Sequence, residues 1–294
     1  MKRTAAATKG SLLSRGLSGG FAGVLQGLLL PALLLLVWTL STGGGRETLF
    51  PSPGRVFSVL AHPATDLLSQ GSIAWSAFVS VSRVMVGFSI AVLAGIPLGL
   101  LMGAYGCFRR FLSLIVEMAR PLSAIALLPL SIMVFRARTL TQVLGLEELV
   151  YRRHILNELQ LGMVFILFWG GVFPIILGTM QGVRSVRKLH LEAARILGAG
   201  KLLTFTRVVV PSALPDIFHG LRMGIGRCWM VIVAAEMLPG ANSGIGYMIR
   251  YSYQLSRYDV MLASIMVVAL IGALFSRGLE ALGEGSLVLR SRER

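Results

Sequence analysis

The chain has 294 residues, of which 55% are hydrophobic and 14% charged, against about 25% charged in soluble domains, and its mean hydropathy is +0.76. That balance excludes a water-soluble globular protein and describes a polytopic membrane protein. A formal charge of +15 would suggest nucleic acid in a soluble protein; in a membrane chain it is the positive-inside bias of the loops, and no nucleic-acid partner is expected.

Residues 1–20, rich in Lys, Arg, Ser and Gly, are expected to form a disordered basic cytoplasmic N-terminus. Phe21 to Leu40 is apolar for about the 20 residues a bilayer core requires. The long basic stretch before it and the poor cleavage site at Ser41-Thr42-Gly43-Gly44 favour an uncleaved first span, kinked at Pro31, over a signal peptide. Gly43 to Gly71, with Pro51, Pro53 and Pro63, reads as an external loop with a short surface helix near Arg55 to Leu60. Span two, Ile73 to Tyr105, carries Gly95, Gly99 and Gly103, small residues four apart that let another helix approach closely.

After Arg109 and Arg110, span three runs from Leu112 to Phe135. Pro121 and Pro129 interrupt it, which lipid tolerates only where neighbours or a cavity satisfy the freed carbonyls, so it is a candidate pore lining. Residues 136–158 are charged and amphipathic and read as an external insertion, with Leu144, Leu146, Leu149 and Leu156 among Glu147, Glu148, Arg152 and Arg153. Span four is Leu159 to Met180, with Pro174 in its inner half. Span five is Leu214 to Leu238, with Asp216, His219 and Arg222 in its first turns. Pro239 to Arg257 reads as an external loop containing Asn242, Gly244 and Gly246. Span six, Tyr258 to Leu279, completes a transmembrane domain over residues 21–282, and residues 283–294 form a basic cytoplasmic tail. With both termini inside, the cytoplasmic lysines and arginines outnumber those outside, as the charge rule requires.

Between spans four and five lies a polar stretch, Arg184 to Pro215. A helix from about Lys188 puts Leu189, Ala193, Ile196 and Leu197 on one face and leaves Arg187, Glu192 and Arg195 in water. Gly198 and Gly200 are expected to supply a positive-φ turn. A second short helix from Lys201 sets Leu202, Leu203 and Phe205 beside the first, and Pro211 ends it because proline cannot continue the hydrogen-bond ladder. The reading is a cytoplasmic helix-turn-helix hairpin over residues 184–211.

Chemistry of other kinds finds no support. Cys107 and Cys228 give neither a disulfide framework nor a CxxC site, and His62, His154, His190 and His219 lack any metal-ligand spacing. Gly198-Ala199-Gly200-Lys201 resembles the end of a phosphate-binding loop, but Arg195 stands where the first glycine is needed and Leu202 where Ser or Thr is needed. Ionisable residues inside the bilayer are costly and so are functional candidates: Arg83, Glu117, Arg120, Arg222, Arg227 and Glu236. Arg227 and Glu236 lie on opposite sides of one helix, so Glu236 requires a partner on another span or in a second subunit. Arg120, Pro121, Arg222, Arg227 and Glu236 are the candidate substrate pathway, and more arginine than carboxylate along it favours small anions.

The spacing Glu192-Ala193-Ala194, three residues, Gly198, nine residues, then Val208-x-Val210-Pro211 resembles the EAA loop of the permease subunits of ABC importers. Arg120-Pro121, Leu128-Pro129-Leu130, Phe173-Pro174-Ile175, Gly220-Leu221-Arg222, Val233-Ala234-Ala235-Glu236-Met237-Leu238 and Ser243-Gly244-Ile245-Gly246-Tyr247 extend the match to the nitrate/sulfonate/taurine branch over roughly residues 83–282. The insertion at 136–158 is longer than that family's usual joint. The resemblance implies an all-α type I importer permease fold of about six spans in the bacterial inner membrane. On that resemblance the chain is expected to be a translocation subunit and not an enzyme, with no cofactor of its own.

Its hairpin, with Glu192, Ala193, Ala194, Arg195, Leu197, Gly198, Ala199 and Pro211, would be the coupling helix that docks on a separate ATP-binding subunit carrying ATP and Mg. The implied partners are a second permease copy, two ATP-binding subunits, a periplasmic or lipid-anchored solute-binding protein, and membrane lipid. The implied cargo is a small solute such as a sulfonate, taurine, nitrate or bicarbonate. Thiamine-precursor and riboflavin-like solutes are compatible with the same architecture. A nucleotide-independent channel and an intramembrane enzyme are the alternatives of a different class.

Overall fold

The computed structural model describes residues 29–42, 50–66, 68–69, 71–135, 138–144 and 155–291. The N-terminal stretch 1–28, the middle of the expected insertion (145–154) and the last arginines lie outside the described residues. Among the described residues thirteen α-helices follow one another: α1 Leu29–Thr42, α2 Pro53–Ala61, α3 Ile73–Ala104, α4 Gly106–Ala119, α5 Leu128–Phe135, α6 Leu140–Leu144, α7 Ile155–Glu158, α8 Leu161–Arg184, α9 Lys188–Ile196, α10 Lys201–Thr204, α11 Val210–Glu236, α12 Ile245–Gln254 and α13 Tyr258–Ser291. Among the described residues the only β contact is a single bridge between Thr139 and Gln160.

Among the described residues four stretches are long and apolar enough to cross a bilayer: α3, α8, the continuous run Lys201–Glu236, and Tyr258–Gly283. The expected third span is not among these four; it is broken into two shorter helices. Helix α4 ends at Ala119, and the chain turns through residues 120–127 before α5 begins, as the two prolines predicted. The first expected span is described only as α1, whose leucines Leu29, Leu33, Leu36 and Leu40 are all exposed. The sixth helix does not stop near Leu279 but continues to Ser291, so the start of the expected basic tail is helical.

Three helices make the core, and small residues set how close they come. On α3, a Cβ added at Gly87, Gly95, Gly99 or Gly103 would lie 2.4 to 2.8 Å from Leu167, Ile175, Thr179 and Val183 of α8 respectively. Both sets of residues recur in steps of four or eight and increase together, so α3 and α8 run parallel with their ridges interlocked. Against α11 the order reverses: Gly178 meets Gly220, and Gly171 meets Cys228, so α8 and α11 are antiparallel. Helix α13 is antiparallel to α11 in turn, because Trp229 Nε1 bonds Val268 O at 3.1 Å while Arg222 reaches Glu280.

These directions put the ends of α3 and α8, together with residues 185–209, on one side of the bundle. The start of α8, the end of α11, and α12 lie on the other.

Two expectations need correction. The segment Pro239 to Arg257 is not an open loop: it contains α12, because Ile245, Met248, Ile249 and Ser252 fall on one helical face and are buried. Pro211 does not end the hairpin's second helix either. Residues Phe205–Val209 form a π turn, with the Val210 N–H bonded to Phe205 O, and α11 starts at Val210 with Pro211 in its first turn. A first-turn proline loses no intrahelical hydrogen bond, so the rod runs through it.

Candidate functional site

The hairpin is built by α9, a tight turn and α10. The Ala199 N–H bonds Ala194 O and the Gly198 N–H bonds Arg195 O, both at 2.9 Å. This is a Schellman close, with Gly198 at φ +76°, a conformation that disfavours side chains with a Cβ. The positive-φ expectation holds at Gly198 and fails at Gly200, which sits at φ −66° and begins α10. Ala194 is buried against its own chain, whereas Glu192, Ala193 and Arg195 are exposed and Ala199 is half-buried. Among the described residues Glu192 and Arg195 make no ion pair.

The apolar face of α9 points outward: Leu189 is 69% exposed, Ile196 and Leu197 85%, and Leu202 of α10 78%. Beneath the elbow a cavity of about 320 Å³ separates Arg195, Lys201 and Phe205 from Gly103, Ala104 and Val183.

A second cavity, of about 440 Å³, lies where the third crossing is broken. Its wall holds Arg120, Pro121 and residues 122–125 from the break, Trp169, Gly170 and Phe173 from α8, and Arg227, Met230, Val231 and Ala234 from α11. Neither arginine makes an ion pair among the described residues. The Trp169 indole N–H is buried without a hydrogen-bond partner among the described residues. Of the five pathway candidates, the structure brings Arg120, Pro121 and Arg227 together. It does not bring in Arg222, whose Nη1 bonds Glu280 Oε1 at 2.9 Å on a half-exposed surface, nor Glu236.

Glu236 is instead sealed in a buried cluster on the side opposite the hairpin. Arg83 Nη1 donates to Glu236 Oε1 at 2.7 Å and to Ser243 O at 2.9 Å, Nη2 donates to Ser243 Oγ at 2.7 Å, and Nε donates to Glu158 O at 2.8 Å. Nη2 also faces Glu158 Oε2 at 3.5 Å, and Ser243 Oγ hydrogen-bonds the same carboxylate. Ser80 Oγ donates to Glu236 Oε2 at 2.7 Å and accepts from the Ile245 N–H at 2.8 Å, while the Gly246 N–H donates to Glu236 at 3.0 Å.

The cluster explains two phrases of the sequence. A Cβ at Gly244 would lie 2.3 Å from the Glu236 carboxyl, and one at Gly246 the same distance from Val233 O. Glu236 thus has its partner on another span. Arg83 stood among the intramembrane ionisable candidates, but its pairing with Glu236, and the parts of Glu158 and Ser80, are what sequence reasoning missed. The available signal was opposite charge at membrane depth in spans two and five.

A helical bundle with a broken crossing beside a cavity and an apolar elbow on one face defines a membrane transport subunit that works against another protein. Residues 95–284 match the family described as binding-protein-dependent transport system inner membrane component, and the chain belongs to that family. It is 37% identical to a putative ABC transporter permease protein of Methanocaldococcus jannaschii, over 89% of this chain and 90% of that one. It is 32% identical to the taurine transport system permease protein of Escherichia coli, over 86% and 85%, and 29% identical to the bicarbonate transport system permease protein of Synechococcus elongatus, over 86% and 87%.

The fold is similar to a chain of the inward-facing MetNI methionine ABC transporter, with a TM-score of 0.56 at 17% identity, covering 71% of this chain and 93% of that chain. The chain is therefore a multi-pass inner-membrane permease subunit of the type I importer fold. Its family implies a separate ATP-binding subunit and a solute-binding protein.

Proposed function

We propose that this permease imports a small oxyanion, inorganic or organic, by alternating access, and that residues 184–211 receive the work of ATP hydrolysis. The observation that carries the coupling role is the outward-facing apolar elbow: four large side chains more than two-thirds exposed on one extramembrane hairpin mark a protein-binding surface. Leu189, Ile196, Leu197 and Leu202 fill a groove on the ATP-binding subunit, and the exposed Glu192 and Arg195 fix its register. ATP and Mg stay with that subunit. One elbow per chain against a dimeric ATPase calls for two permease copies about a two-fold axis. In this reading the hairpin side, with both termini, is cytoplasmic, and the side of α7, α12 and the Arg83 cluster is external.

The anion reading is supported by the cavity. Arg120 and Arg227 offer charge without a carboxylate between them, Trp169 adds an N–H donor, and the relatives named for taurine and bicarbonate handle a sulfonate and a carbonate oxyanion. Hydrogen bonds from charged donors are worth roughly 1.5–3 kcal/mol each. With the whole transporter in proteoliposomes, replacing Arg120 and Arg227 together by Ala is expected to lower ATP-driven uptake of taurine or bicarbonate, whichever the wild type carries, by about tenfold or more. Undiminished uptake would refute the anion site.

A further inference from the structure

The Arg83 cluster has two parts that differ in access to water. Arg83 and Glu236 are 1% and 0% exposed and cancel in charge. Glu158 adds a second carboxylate, and its side chain keeps 25% exposure. The inner pair retains its compensation when Glu158 leaves, and Glu158 can then be hydrated, whereas loss of Glu236 would strand a buried cation.

Glu158 also closes a larger structure. It ends α7 two residues before Gln160, which bridges Thr139, and the Leu161 N–H donates to Arg138 O at 3.0 Å. The base of the 138–160 excursion and the first turn of α8 are therefore one unit. The Glu158 carbonyl and carboxylate bind that unit to α3 and to the Ser243 turn beyond α11. The same α8 carries Trp169 and Phe173 to the cavity.

We propose that Glu158 is a positioning residue of the transport cycle: a detachable latch holding α7 and the start of α8 against the far end of α11, released when the cavity opens on that side. This rests on the orientation proposed above, with α7 outside, where a solute-loaded binding protein can press on it. A partner shifts the equilibrium only by its differential affinity for the unlatched form. A chain without the latch needs less of that push.

The test uses the assembled transporter in nanodiscs, measuring ATP hydrolysis with and without its binding protein, added as purified from the expressing cells. Glu158→Gln and Ser243→Ala are each expected to raise hydrolysis without the binding protein about fivefold while changing the rate with it by less than about twofold, so that the stimulation ratio falls. Glu158→Asp is expected to restore part of the ratio. A purely structural role would lower both rates in proportion to intact complex. That result, or an unstimulated rate that fails to rise in either variant, overturns the latch. In a Cys107→Ser background, Val143→Cys is expected to react with a membrane-impermeant thiol reagent from the outside. Reaction only from the cytoplasmic side refutes the orientation itself, and the latch with it.

Discussion

Arg83 makes four hydrogen bonds inside the protein and also faces the Glu158 carboxylate, and this degree of commitment makes the residue unforgiving. Removing one partner of a buried ion pair leaves the other uncompensated, at a cost of roughly 3–5 kcal/mol. Arg83→Ala and Glu236→Ala are each expected to lower the unfolding temperature of the purified complex sharply. Replacing both by apolar residues of similar volume should recover much of the loss, and additive losses in the double variant would show that the two do not act as a pair. The need of Glu236 for a partner on another span was legible from its place opposite Arg227 on one helix. Which residue answers it was not, because helical periodicity fixes a face and says nothing about a neighbour 153 positions away.

At the scale of elements, hydropathy and spacing carried furthest. The four-residue recurrence of Gly95, Gly99 and Gly103 reads as close helix contact, and their approach to Ile175, Thr179 and Val183 is that contact. Gly99→Leu, forced against Thr179, is expected to cost about 1–3 kcal/mol or to prevent assembly, as read by thermal unfolding. The elbow's first helix and its Gly198 turn were legible because charged and apolar residues alternate with the right period. Its second half was not, since a proline can end a helix or begin one and the π turn before Pro211 leaves no compositional mark. Helix α12 was hidden for a similar reason: Gly244 and Gly246 suggest a loop, while their actual constraint is the Glu236 carboxylate and the Val233 carbonyl pressed against them. Gly198→Val must hold φ +76° with a branched side chain, a strain of about 1–2 kcal/mol. The expected outcome is ATP hydrolysis that persists while solute moved per ATP falls, measured side by side in proteoliposomes. Unchanged coupling would remove the turn from the transmission path.

For the whole molecule, the chain exposes more apolar surface than lipid alone explains on the hairpin side, and two arginines face a cavity beside a broken crossing. Native mass spectrometry of the detergent-extracted complex is expected to find two copies of this chain with two ATP-binding subunits; a single copy would leave one elbow's groove empty and contradict the two-fold arrangement. Composition was enough to recognise a membrane bundle, and the parallel course of α3 and α8 agrees with a crossing between them that is broken in the middle. The run Lys201–Glu236 is about 54 Å long at helical rise. It starts at the elbow and finishes at the carboxylate bound to Arg83. If the elbow takes up work as proposed, a torque applied there meets two compliant points, the π turn and Pro215 inside α11, before it reaches the opposite face, so the two mouths of the transporter are geared to a single jointed axle.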